Sequence, residues 1–239
     1  MESKDLGHHI SQQYNAELED IRNKVLTMGG LVEQQLVDAT KALVEGDSRL
    51  GETAITGDVK VNALEVAIDE ECSQILARRQ PTASDLRLVV AIIKTITDLE
   101  RIGDEAEKIG HLAVHLAGME GNKQHFTAIS NISEHVQGMV HDTLDAFARL
   151  DVDLAVSVAK RDNNVDEKYN GITRQLITYM MEDPRSITRS LDVMWAARAL
   201  ERIGDHAKNI CEYVIYLVQG KDVRHTTIEQ LEKAARRNN

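Results

Sequence analysis

The string Leu-Glu-Arg-Ile-Gly-Asp occurs twice in this chain, as Leu99–Asp104 and as Leu200–Asp205. Both copies continue with an alanine two residues after the aspartate and an isoleucine five residues after it, at Ala106/Ile109 and Ala207/Ile210. A proline precedes each copy at a matching place, Pro81 and Pro184, and the chain has no other. Identity of this length at equivalent points marks a duplicated supersecondary unit, so whatever one half folds into the other half should repeat.

The unit reads as three helices. From Ile10 to about Gly46, apolar residues recur at alternating spacings of three and four: Leu18, Ile21, Val25, Met28, Val32, Leu36, Ala39, Leu43. That is the stripe of a helix in a bundle. A second helix is expected from about Leu50 or Glu52 to Arg79. Gln80–Asp85 then supplies a breaker and candidate N-caps, and a third helix runs to about Leu116. Gly118, Gly121 and Asn122 mark a linker. The order then repeats: about Phe126 or Ser130 to Leu150, about Asp153 to Met181, a break at Pro184, and about Ile187 to Val218. Aromatic residues make up only 3% of the chain, too few for the faces of a β-sandwich, so the core must be Leu, Ile, Val, Ala and Met on helices. The fold class is therefore all-α, two tandem three-helix bundles. The expected division is 1–118, 119–220 and a polar tail, 221–239, with room for one short helix.

A net charge of −11 opposes non-specific nucleic-acid binding. Cys72 and Cys211 form no metal or redox motif and read as small core residues of a reducing compartment. No apolar run reaches the roughly 18 residues of a membrane span, and the N-terminus lacks a signal-peptide core, so a cytoplasmic location is expected.

The chemistry sits in the repeated string. Its Glu and Asp are four apart, on one helical face, where like charges cost a few tenths of a kcal/mol unless a cation neutralises them. Its glycine costs roughly 1 kcal/mol more in a helix interior, and would let a backbone or an ion approach closely. If the second and third helices of a repeat are antiparallel about the proline, residues equidistant from the turn face one another. Asp58 then faces Asp104, and Asn62 faces Glu100. In the second repeat Asp162 faces Asp205, and Asp166 faces Glu201. Four oxygen-donor side chains converging from two helices suit a hard-cation or multinuclear site: Mg, Mn or Ca, with Fe and Zn open. A single copy would be read as a solvated acidic face paired with Arg101 or Arg202; two matched copies favour metal. Counting acids, the second set is complete, whereas Asn62 weakens the first, so the C-terminal site is expected to hold metal more firmly. His111 and His115, four apart, are weaker candidates. His206 should point away from Glu201, and His8 and His9 are expected in a disordered terminus. No nucleophile, His base or Gly-rich phosphate loop accompanies the acids, and no Glu-x-x-His motif suggests a di-iron oxidase.

The sequence resembles the PhoU family along essentially its whole length. The resemblance is carried by both Glu-Arg-Ile-Gly-Asp copies and by strings such as Gln13-Tyr-Asn-Ala-Glu-Leu-Glu19, Met28-Gly-Gly30, Arg79-Gln-Pro-Thr-Ala-Ser-Asp-Leu-Arg-Leu88, Leu144-Asp-Ala-Phe-Ala-Arg149 and Thr178-Tyr-Met-Met-Glu-Asp183. It implies a pair of three-helix bundles and paired acidic metal motifs, here Glu100/Asp104 with Asp58/Asn62 and Glu201/Asp205 with Asp162/Asp166. It also implies a non-enzymatic role. That role is negative regulation of phosphate uptake and of the phosphate-starvation response, as an adaptor between the phosphate ABC transporter ATPase and a membrane sensor histidine kinase. A homodimer is expected. The alternatives are a metal-dependent phosphate-ester hydrolase, which the duplicated carboxylates permit, and a structural bundle with adventitious metal.

Overall fold

The computed structural model describes residues 3–119, 126–224 and 226–235, the first nine of these by backbone alone. Six long helices follow the sequence periodicity: α1 (Ser3–Glu45), α2 (Ser48–Arg79), α3 (Ala83–Ala117), α4 (Phe126–Arg149), α5 (Val152–Glu182) and α6 (Ile187–Gln219). A short α7 (Ile228–Ala235) follows in the tail. Among the described residues there is no strand. Helix α1 starts earlier than expected, so the backbone of His8 and His9 is helical rather than disordered. Gly121 and Asn122 of the expected linker lie outside the described residues, while Gly118 caps α3.

The middle helices open alike because the same residue type caps them. Asp47 accepts from the backbone N–H of Arg49 (3.0 Å) and Leu50 (3.3 Å), and Asp151 accepts from that of Leu154 (2.9 Å). Each satisfies N–H groups that the first helical turn leaves orphaned. The two prolines work differently. Pro81 lies between Gln80, which takes a left-handed φ of 48°, and Thr82 at the N-cap of α3. Pro184 instead starts a 3-10 turn over Pro184–Ser186, capped by Asp183, that feeds α6.

Helices α1–α3 pack as one three-helix layer and α4–α6 as its repeat, and the two share one apolar core. The seam between the repeats is α3 against α6, supported by α1 against α4. Helices α3 and α6 are antiparallel, since Asp98 meets His206 and Tyr213 whereas Arg202 meets Glu105. Both cysteines are buried and free. Within each repeat the hairpins follow mirror register. A β-carbon added to Gly110 would stand 3.0 Å from the carbonyl of Gly51 across the α2–α3 contact. Glycine at both positions lets these two backbones touch.

Candidate metal centre

The α2–α3 hairpin brings the first acidic set together. Asp58 is buried, and a β-carbon added to Gly103 would stand 3.1 Å from Asp58 Oδ1 and 3.3 Å from Gln35 Oε1. The motif glycine thus lets a carboxylate of α2 lie against the backbone of α3. One oxygen each of Asp58, Asp104 and Glu107 lies within 4.8 Å of the other two. Neutral donors orient Asp58. Gln35 Nε2 on α1 donates to Oδ1 (3.3 Å) and to the Ala54 carbonyl (3.0 Å), and Asn62 Nδ2 donates to Oδ2 (2.7 Å). Gln35 Oε1 is buried with no hydrogen-bond partner, an acceptor facing an acceptor cluster.

The charges push one another toward protonation. Burial raises the Glu100 carboxyl above its ordinary range, reinforced by Asp104, Glu65 and Asp58. Burial also raises Asp104, with Asp58 adding to it. Glu65 is raised by burial, then by Asp69 and Asp104. Glu100, Asp104, Asp58 and Glu65 therefore share one electrostatic site, with Asn62 as an amide brace.

The α5–α6 hairpin assembles the second set on the same plan. Asp162 is buried beside Gly204, whose added β-carbon would stand 3.5 Å from Asp162 Oδ1. Burial raises the Asp205 carboxyl, with Asp162 and Asp166 adding to it, and raises Glu201, with Asp205 adding to it. Asp166 is raised by burial and by Asp162. Two cations of the chain itself enter here. Lys208 Nζ lies 2.7 Å from Asp162 Oδ2, and Arg198 Nη1 donates to Glu201 Oε1 at 2.5 Å.

The repeats differ most at one aligned position. Lys208 stands three residues after Asp205, and Glu107 stands three residues after Asp104. The first cluster has a carboxylate where the second has an ammonium. Arg198 aligns with Thr97, so the guanidinium also has no counterpart. These internal cations weigh against the order expected from counting acids. Lys108 and Arg202 lower the Asp104 carboxyl and Arg101 that of Glu100, but among the described residues no Lys or Arg forms an ion pair with Asp58, Asp104 or Glu107. This cluster therefore has the donor set for a hard cation, whereas Lys208 and Arg198 touch the acids of the C-terminal cluster and partly neutralise it. A cation at the first cluster would be held by Asp58, Asp104 and Glu107, with Glu100 and Glu65 alongside, and would supply the missing positive charge.

Glu65, Glu107 and Gln35 were not singled out by the sequence. The histidines are peripheral. His111 is exposed and lies 3.6 Å from Glu107 Oε1, His115 is exposed, and His206 turns to the seam between the repeats.

Comparison with known proteins identifies the family of the chain. The PhoU domain model matches residues 25–113 and again 129–214. This chain belongs to the PhoU family. The phosphate-specific transport system accessory protein PhoU of Escherichia coli (strain K12) is 52% identical over 236 residues, 98% of this chain and 96% of that one. The PhoU homolog of Pseudomonas putida is 55% identical over 226 residues, 95% of this chain and 88% of that one. The crystal structure of PhoU from Pseudomonas aeruginosa superposes with a TM-score of 0.85 at 54% identity, covering 87% of this chain and all of that one. The regulatory protein PhoU from Streptococcus pneumoniae does so at 0.80 and 30% identity, covering 88% of this chain and 99% of that one.

Within this PhoU fold the two motif glycines are not equivalent. Alanine is favoured over glycine in a helix by roughly 1 kcal/mol. At Gly204 the added methyl makes an ordinary contact at 3.5 Å, so Gly204→Ala should stabilise by about 0.5–1 kcal/mol. At Gly103 it meets Asp58 and Gln35 too closely, so Gly103→Ala should lose that gain and destabilise by about 1 kcal/mol. Urea unfolding measures both; equal gains would show that Asp58 does not press on Gly103.

A pH dependence follows with a definite sign. The raised carboxyls hold protons in the folded state that the unfolded chain releases. Glu212 marks the upper edge, pushed by burial from 4.5 to about 7. These groups leave stability intact below about pH 4 and remove it as pH rises toward 7. His141, raised by its bond to Glu33, has the same sign, its stabilisation fading at higher pH. Chelator-treated protein should therefore melt at a higher temperature at pH 5 than at pH 8, and saturating Mn or Mg should narrow the gap. A metal-free melting temperature that climbs steadily from pH 5 to pH 8 contradicts this account.

Proposed function

We propose that this chain is a negative regulator of phosphate uptake and of the phosphate-starvation response. It acts as a cytoplasmic adaptor between the phosphate ABC transporter ATPase and a membrane sensor histidine kinase. The observation that carries the reading is near full-length similarity to proteins named as accessory to phosphate-specific transport. Among the described residues no helix is long and apolar enough to cross a membrane, which agrees with contact to the membrane only through partners. Long helices that present whole faces suit docking, and a homodimer is compatible with them.

The acidic clusters serve this role as cation-dependent structural switches. A divalent or transition ion (Mg, Mn, Fe or Zn) at Asp58, Asp104 and Glu107, braced by Asn62 and flanked by Glu100, relieves repulsion and fixes the α2–α3 face. The C-terminal set, Asp162, Asp166, Glu201 and Asp205, binds more weakly because Lys208 and Arg198 already occupy it. The fit rests on oxygen donors from two helices with a glycine between them.

Deleting the gene and measuring a phosphate-starvation reporter in high phosphate tests the regulatory role. Derepression is expected, with rescue by the parent chain and not by Asp58→Ala/Asp104→Ala. An unchanged reporter would sink the assignment. Turnover of phosphate esters by the purified protein, abolished by Glu201→Ala, would replace the adaptor with an enzyme.

A further inference from the structure

The outward face of α6 carries a seam with two chemically different halves. Ile187, Leu191 and Trp195, four residues apart in turn, are 40%, 41% and 64% exposed. The same face continues through Arg198 and Arg202, both exposed. Trp195 is the only tryptophan of the chain. The fifteen residue steps from Ile187 to Arg202 span about 23 Å, roughly four helical turns. Beside the basic half, α6 and antiparallel α3 frame an open groove of about 590 Å³. Leu112 and Ala199 supply apolar lining, the Trp195 indole stands at one end, and Lys108 joins the two arginines. The one carboxylate in the groove, Glu105, is buried and already held by Lys108 (3.0 Å) and Arg202 (2.9 Å). Glu105, and the Glu201 carboxylate that Arg198 holds, offset two of the three cations, which leaves one positive charge in excess here on a chain of net charge −11.

We propose that this seam and groove form a docking site for a helical segment of a partner protein, with an apolar stripe that ends in carboxylates. Tryptophan and arginine are the residues most enriched among those that dominate interface energies, and here they adjoin. The valley between two antiparallel helices accepts a third helix. Arg198 spends one hydrogen bond on Glu201 and Arg202 forms one ion pair with Glu105; a guanidinium has five N–H donors, so both can still bind a carboxylate in fork geometry. A second copy of this chain is a poor occupant. Two-fold symmetry would set the seam against itself, placing arginines on arginines or on the apolar half. The surface stands on its own geometry; only its use by a partner rests on the adaptor reading.

The test is a titration of the full-length protein with synthetic 18-residue peptides that lack tryptophan. One carries leucines at spacings of four followed by two glutamates, and its counterpart has lysines in their place. A second pair has the charged end reversed, to allow either direction. Emission of Trp195 reports occupancy. The glutamate peptide is expected to shift the emission to the blue and saturate. The lysine peptide should bind at least about tenfold more weakly, although the overall charge of the protein favours it. Leu191→Ser, an exposed change that leaves the reporter in place, should weaken the glutamate peptide about tenfold. Arg202→Gln should reduce the discrimination to under about threefold. No saturable shift, or a lysine peptide that binds as tightly, overturns the proposal. So does an emission shift that follows protein concentration alone and disappears in Leu191→Ser, which would make the face a contact between copies. Failure here leaves the phosphate-starvation reporter result untouched, and an unchanged reporter leaves the peptide result untouched.

Discussion

Asp98→Ala is expected to cost the fold about 3–5 kcal/mol and to loosen the two repeats from each other. Asp98 is 3% exposed on α3 and is the common acceptor for three groups of α6. His206 Nδ1 lies 2.7 Å away, the Tyr213 hydroxyl donates at 2.8 Å and Asn209 Nδ2 donates at 3.2 Å. An ionised aspartate only accepts, so His206 presents its Nδ1–H. Hydrogen bonds to a charged group contribute about 1.5–3 kcal/mol each, and removing one member of a buried network strands the rest without water. The Tyr213 hydroxyl is held protonated, raised by burial and by the Asp98 charge, so it stays a donor across the physiological range. The position equivalent to Asp98 in the second repeat is Ala199, so the seam has no duplicate of this latch. Tyr213→Phe removes one donor and should cost about 1 kcal/mol; Asp98→Asn keeps the shape and should fall between. Guanidinium unfolding monitored by far-ultraviolet circular dichroism reads the difference. Because Trp195 lies on α6, its fluorescence should report a separate, earlier transition in Asp98→Ala. A variant within 1 kcal/mol of the parent that unfolds in one step would refute the latch.

The architecture was readable because it is built from local rules. Alternating three–four spacing located α1, the duplication and the two proline breaks placed the other long helices, and the aspartates that open α2 and α5 are caps that act over two or three residues. The mirror register about Pro81 predicted that Asp58 meets Asp104, since a short turn leaves two helices little freedom to slide. The same reasoning could not find Gln35. Helix α1 reaches Asp58 through side-to-side packing whose register no turn sets. Glu107 was within reach, as it stands one turn beyond Asp104 on the same face. It falls outside the repeated string, where the two repeats carry different residues. Lys208 was legible in the same way. Counting carboxylates left out the cations that stand among them, Lys208 and Arg198. Asp98 gave only the faint sign of a lone acid in an apolar stripe, and its partners lie more than a hundred residues on.

That inversion between the repeats yields the sharpest test of the metal centres. Glu107→Lys should weaken divalent-cation binding at the N-terminal cluster by a hundredfold or more, about 3 kcal/mol. The change removes a carboxylate oxygen that lies within 4.8 Å of Asp58 and Asp104 and puts an ammonium in its place, copying the second repeat. The reciprocal change, Lys208→Glu, should create firm binding at the C-terminal cluster. It removes the ammonium that lies 2.7 Å from Asp162 and leaves Asp162, Asp166, Glu201 and Asp205 facing a new carboxylate. Without added cation, Lys208→Glu should destabilise the fold, because a buried aspartate loses its partner and gains a neighbour of like charge. With saturating Mn the loss should reverse, since a ligand that binds only the folded state stabilises it by mass action. The double variant Glu107→Lys/Lys208→Glu should then carry its tight site in the second repeat instead of the first. Calorimetric titration with Mn counts the sites, and the melting temperature with and without chelator reads the linkage. If Lys208→Glu gains no affinity while Glu107→Lys loses none, the internal cations do not decide which acidic face takes a metal. The difference between the repeats would then have to come from Gln35 and Asn62, the neutral donors that orient Asp58.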